Sequence, residues 1–139
     1  MESAINIKVI NVYEDDGSIQ YDITFSNGQT HTDLDFYGYY DTFQKFGERL
    51  VNYPQHIHDK VKLEIGSEDK RSAYHILLEV FCYEPNGKSA IKIIVDNHAI
   101  IPYFQRCEFY ILSEPANLNR LGQGLKMWNP LEEKEYKWI

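Results

Sequence analysis

Histidine, cysteine and paired carboxylates are the side chains with which this chain could do chemistry, and each occurs in a pattern that falls short of a reaction centre. His56-Ile57-His58-Asp59 brings two imidazoles and a carboxylate together, the chemistry of a zinc site. A structural zinc takes four protein ligands and a catalytic one three, and no other histidine or cysteine stands at a spacing that completes the set. A wet loop is expected there, and no metal. Cys82 and Cys107 form no C-x-x-C pair. They fall on predicted strands separated by a third, roughly 9 to 10 Å apart and beyond the reach of a disulfide. Free thiols packed as small apolar residues are expected, a thiol beside His75 or His98 being the alternative. No Gly-x-Ser-x-Gly elbow marks a nucleophile. Gly122-Gln123-Gly124 lies inside a helical pattern, not at the strand-to-helix turn that cradles a phosphate. Asp33-Leu34-Asp35 sets two carboxylates on one side of an extended segment, as an acid/base pair or a metal needs, or as a solvated edge strand has them. The residues therefore assign no catalytic group and no cofactor.

The elements that position these groups follow from hydrophobic period. Ile19, Tyr21, Ile23 and Phe25 alternate with Gln20, Asp22, Thr24 and Ser26, a strand with one buried face. A β-rich segment from Ile5 to Tyr13 precedes it across Glu14-Asp15-Asp16-Gly17-Ser18. Asn27-Gly28, a hairpin dipeptide, leads to a third strand over about 29–36. Val61, Leu63 and Ile65 predict a fourth. Residues 73–83 fit either period, but Pro85 and Asn86-Gly87 form a hairpin loop whose far side, residues 90–95, is β-branched, so strands are expected on both sides. Residues 105–112 read as the last strand.

Two helices are predicted, over about 41–53 and 115–128. Asp41 with Gln44 forms a capping box for the first, and Asn52-Tyr53-Pro54 ends it; Ser113 or Asn117 caps the second, and Asn129-Pro130 ends it. Written together, residues 43–50 and 118–125 each hold a glycine, Gly47 and Gly122, inside the apolar stripe. A mid-helix glycine costs about 1 kcal/mol relative to alanine, so a matching pair implies close approach of helix backbone to the sheet or to the other helix. The parallel is consistent with two βββα-like halves, strand 4 being an addition, with coincidence as the plain alternative.

The expected fold is thus α+β: a mostly antiparallel sheet of six to seven strands with two amphipathic helices, residues 1–130 forming one domain and 131–139 a loosely held charged tail. With 139 residues, 43% of them hydrophobic, one core is affordable. Neither a leader nor a membrane span is expected, and two cysteines fit a reducing, cytoplasmic setting.

The net charge of −7 argues against nucleic acid or an anionic membrane as partner. Residues 1–41 hold eight acids against one base, Lys8; the remaining 13 acids and 13 bases cancel. Within that segment the run from Asp33 to Asp41 interleaves acids with Phe36, Tyr37, Tyr39 and Tyr40. Tyrosine supplies contact area at low entropy cost and carboxylates pair with basic side chains, so this is a surface suited to a cationic protein. The plain alternative is that the aromatics staple the first helix and the acids confer solubility. Asp22, Asp33, Asp35, Tyr37, Tyr39 and Tyr40 are the candidate partner-binding residues. A small-ligand-binding domain and an enzyme are the competing classes.

A short acidic chain of this kind, without catalytic residues and with an acid and tyrosine run at Asp33 to Asp41, resembles in type the immunity proteins of bacterial toxin-immunity systems. The resemblance is one of size, charge and lack of chemistry; no motif is matched and no functional residue is carried over. It implies a protein that binds and blocks a basic toxin, often a nuclease, in the cytoplasm.

Overall fold

The computed structural model describes residues 3–139. Eight strands form two antiparallel four-stranded sheets, in place of the single sheet expected. β1 (Ser3–Val12), β2 (Ile19–Asn27) and β3 (His31–Gly38) are joined by β8 (Glu135–Trp138) in the order β3-β2-β1-β8. β4 (Lys60–Gly66), β5 (His75–Cys82), β6 (Ser89–Asp96) and β7 (Arg106–Ser113) make the second sheet in sequence order. The alternation on β2 places Ile19, Tyr21, Ile23 and Phe25 wholly in the core, where they meet Ile76, Val80, Ile91, Ile93 and Ile111 of the second sheet. The ambiguous segment 73–83 holds a strand, His75–Cys82, between β4 and β6.

The first helix is shorter than expected, and the second falls where it was expected. α1 is Gln44–Leu50, with Phe43 at its N-cap and no side-chain cap. The Asp41–Gln44 box does not form, because Thr42 is used in the turn after β3, where its Oγ1 accepts the Tyr39 N–H at 2.8 Å. Gln44 reaches instead to the far end of α2, donating from Nε2 to Trp128 O at 2.6 Å. α2 is Pro115–Met127; Glu114 occupies the N-cap, not Ser113 or Asn117, with proline opening the first turn, where its missing N–H costs nothing.

The glycines mark where the helices cross. A Cβ on Gly47 would stand 2.6 Å from Lys126 N and 2.8 Å from Gly122 O; one on Gly122 would stand 2.7 Å from Gly47 O and from Leu50 Cβ. Backbone meets backbone, so the approach is to the other helix.

The element order repeats. β1-β2-β3-α1-β4 is followed by β5-β6-β7-α2-β8, and the last strand of each half is traded: β4 pairs with β5 and β8 with β1. Ladders correspond position for position, Ile19 facing Gly38 as Ser89 faces Ser113, and Ser26 facing His31 as Asp96 faces Arg106. The contact from Gln44 to Trp128 O is mirrored by Asn119 Nδ2 donating to Tyr53 O at 2.7 Å. Residues 13–17 and 83–87 are both Tyr-Glu-x-x-Gly, closed by Tyr13 N–H to Ser18 O and Tyr83 N–H to Lys88 O, each 2.9 Å. The next turns hang on Asn27 and Asn97, whose N–H groups donate to Thr30 O and Gln105 O at 3.1 Å and whose Oδ1 atoms accept the Thr30 and Gln105 N–H groups at 2.8 and 3.0 Å. The second of these turns is longer by five residues, 98–104 standing where the first has Gly28 and Gln29.

Residues 131–139 are not a loose tail. They carry β8, whose Trp138 is 3% exposed and donates from Nε1 to Asn117 O at 3.0 Å. Tyr136 and Trp138 alternate with Glu135 and Lys137, a strand period brief enough to be hidden among the charges. Among the described residues no helix is long and apolar enough to cross a membrane.

Candidate binding surface

The Asn27-Gly28 turn sets the β2–β3 register, and the register decides which side chains share a face. Asp22 lies directly opposite Asp35, Thr24 opposite Asp33, and Gln20 opposite Tyr37. The sequence candidates Asp22, Asp33, Asp35 and Tyr37 therefore stand together on the outer face of the first sheet, with β3 at its edge. Across Asp22 on the other side is Lys8, whose ammonium lies 3.8 Å from Glu135. Every ion pair among the described residues involves Glu64, Asp69, Asp96, Glu108 or Glu135; none engages an acid between Glu14 and Asp41.

The crowding has an electrostatic signature. Burial, then the charges of Asp33 and Asp35, push the Asp22 carboxyl up to about 6, with Lys8 opposing them. Asp22 Oδ1 and, one row away, Asn6 Oδ1 are buried and accept no hydrogen bond from the described residues.

The tyrosines continue this face. Tyr37, Tyr39 and Tyr40 are 55%, 53% and 58% exposed, yet the first two are fixed by their backbone. The Tyr37 N–H donates to Tyr74 Oη at 3.0 Å, and Tyr39 O accepts from Tyr21 Oη at 2.5 Å. Burial, then Asp41, hold the Tyr21 phenol well above its ordinary range, so it stays a donor. Tyr37 and Tyr39 line an open cleft of about 530 Å³ with Tyr13, Asp15, Asp16 and Ser18 of the β1–β2 turn. Tyr13 and Tyr37 have ring centroids 6.3 Å apart at 46°. Tyr40 is exposed but does not line the cleft.

Tyr13, Asp15 and Asp16 were not among the sequence candidates. The signal was present: the turn that carries them joins the two strands beside β3, so a β1-β2-β3 meander brings it near the end of β3. The apolar connection after β6 was also missed, with Ile100, Ile101 and Tyr103 at 79%, 86% and 74% exposure. Only the comparison of Asn97 with Asn27 marks it as an addition to the repeat.

The other chemistry-bearing residues do not converge. His56 and His58 lie in an exposed turn, and among the described residues no group of three or more His, Cys, Asp or Glu side chains is arranged to hold a metal ion. Cys82 and Cys107 are free. Cys82 Sγ lies 3.3 Å from Tyr53 Oη and 3.7 Å from Ser89 Oγ, at the opposite end of β5 from His75. The His75 ring contacts Glu64 at 2.8 Å, and His98 Nδ1 contacts Ser72 O at 2.8 Å. Gly124 packs against the Tyr136 ring.

Comparison with protein-family models, with curated proteins and with solved structures finds no match.

Proposed function

We propose that this chain is a non-enzymatic binding domain that holds a basic protein on the outer face of β2 and β3, in the manner of an immunity or inhibitor protein. The observation that carries the reading is the row of carboxylates at Asp22, Asp33 and Asp35, side by side and without an ion-pair partner among the described residues. Like charges opposite one another on adjacent strands destabilise a sheet, and a cationic partner would relieve that repulsion on docking. The exposed tyrosines beside them add contact area on a backbone that is already ordered, so little entropy is lost on binding.

The test is to isolate the tagged chain from its own cell, identify the protein recovered with it, and remeasure the affinity after Asp33→Lys and Asp35→Lys together. A basic partner whose affinity falls at least about tenfold is expected, the size of effect that loss of one or two close charge pairs produces. An acidic partner, or an affinity the reversal leaves unchanged, overturns the reading.

A further inference from the structure

We propose that the cleft between the β1–β2 turn and the end of β3 is a seat for one arginine side chain of a basic protein, an inference that rests on the docking reading above. The Tyr13 and Tyr37 rings, 6.3 Å apart and inclined at 46°, line the cleft together with Tyr39. A guanidinium is planar and weakly hydrated and stacks on tyrosine faces, whereas an ammonium is compact, strongly hydrated and has no plane to stack. Carboxylates complete the match. Asp15 Oδ1 accepts the Asp16 N–H, and Asp16 Oδ1 accepts the Ser18 N–H and hydroxyl, which leaves the Oδ2 atom of each without a donor among the described residues. The bonds from Ser18, the backbone one foremost, hold the Asp16 carboxyl below its ordinary range, so it remains an anion.

The repeat shows that this equipment is surplus to folding. In the corresponding turn Asn86 Oδ1 accepts the Lys88 N–H at 3.1 Å, just as Asp16 Oδ1 accepts that of Ser18 at 2.9 Å, so a neutral amide closes the same turn. Pro85 stands in the place of Asp15, and Leu112, facing Ala90, in the place of Tyr37, facing Gln20. One half thus builds the same hairpin without either carboxylate or the second ring of the pair. Their meeting in a single cleft in the other half is explained by a ligand that is both cationic and flat.

The experiment is a titration of the full chain with N-acetyl-arginine amide, followed by NMR, with the citrulline and lysine amides as comparators. Saturable shifts in the Tyr13, Tyr37 and Tyr39 ring signals are expected with arginine, none with neutral citrulline, and weaker binding with lysine. Tyr37→Leu should weaken arginine binding about two- to fivefold, the factor that one exposed cation–π contact is worth, and Asp16→Asn by up to about fivefold, that of one exposed ion pair. Both alter exposed side chains, and Tyr110→Leu, outside the cleft, should change nothing. Equal shifts with citrulline, equal affinity for lysine, or variants that bind as the parent does would overturn the proposal. Failure of arginine to bind while a basic protein is still held through Asp33 and Asp35 would overturn the seat alone; loss of both would overturn the docking reading as well.

Discussion

Asp22 and Asp35 face each other directly across the β2–β3 ladder, two carboxylates where a sheet ordinarily pairs opposite charges. Asp33 is on the same face, and the nearest base across the strand, Lys8, is shared with Glu135. The isolated domain therefore carries an unfavourable contact that nothing in its packing requires. Asparagine at any of the three positions would fill the same space without the charge.

That contact makes stability depend on pH. The Asp22 carboxyl titrates at about 6 in the folded protein against an ordinary 3.8, so the folded state holds this proton more tightly than the unfolded chain does. Its contribution is fully present below about pH 4 and is lost as the pH rises through about 6. Asp22→Asn should accordingly be more stable than the parent at pH 7.5 by a few tenths to about 1 kcal/mol, the range of cross-strand pair effects. Urea unfolding should show the advantage shrinking towards pH 4; an advantage that is the same at both pH values would refute the assignment.

The helix crossing admits no side chain at its centre. Gly47→Ala and Gly122→Ala each gain about 1 kcal/mol of helix propensity, yet both should be destabilising overall because the new Cβ meets backbone. Overpacking of this kind costs about 1 to 3 kcal/mol, and the two helices would have to separate to accommodate it. Denaturant midpoints lower than the parent's are expected; unchanged or higher midpoints would show that the crossing can open freely.

The longer turn of the second half should be dispensable to the fold. Replacing residues 98–104 by Gly-Gln, the pair between Asn27 and Thr30, leaves Asn97 and Gln105 able to close the turn as their counterparts do. The variant loses the contact of His98 with Ser72 and should melt somewhat lower, but still in one cooperative transition. It also sheds Ile100, Ile101 and Tyr103, so binding of an apolar dye should fall. A chain that no longer folds would break the equivalence of the two turns.

Local pattern made much of this legible. The alternation from Ile19 to Phe25 and the Asn27-Gly28 turn mark one hairpin; Asp22, Asp33, Asp35 and Tyr37 were grouped from the sequence by charge and composition, and the register of that hairpin puts them on one face. The strand over residues 75–82 was legible from its neighbours across the Asn86-Gly87 turn, and the paired glycines implied a close backbone approach, though not whether to the sheet or to the other helix. What escaped was non-local. Two sheets cannot be told from one by strand periods alone, and β8 pairs with a strand at the opposite end of the chain. The first helix was drawn too long because Asp41 and Thr42 have the composition of a cap but serve the turn after β3. The cleft needed Tyr13, just past the end of β1, to meet Tyr37 on β3 across β2, a relation visible only once the meander is laid out in space.

The central claim, that the outer face of β2 and β3 is an electrostatic docking surface, is tested most directly by the salt dependence of binding. Affinity for the protein recovered with the tagged chain should be measured between about 50 and about 500 mM sodium chloride, a range over which screening of exposed charges changes strongly. The wild-type chain should bind progressively more weakly as salt rises, and Asp33→Asn with Asp35→Asn should bind more weakly at low salt with a flatter dependence. Equal slopes for the two chains, or an affinity indifferent to salt, would contradict the account.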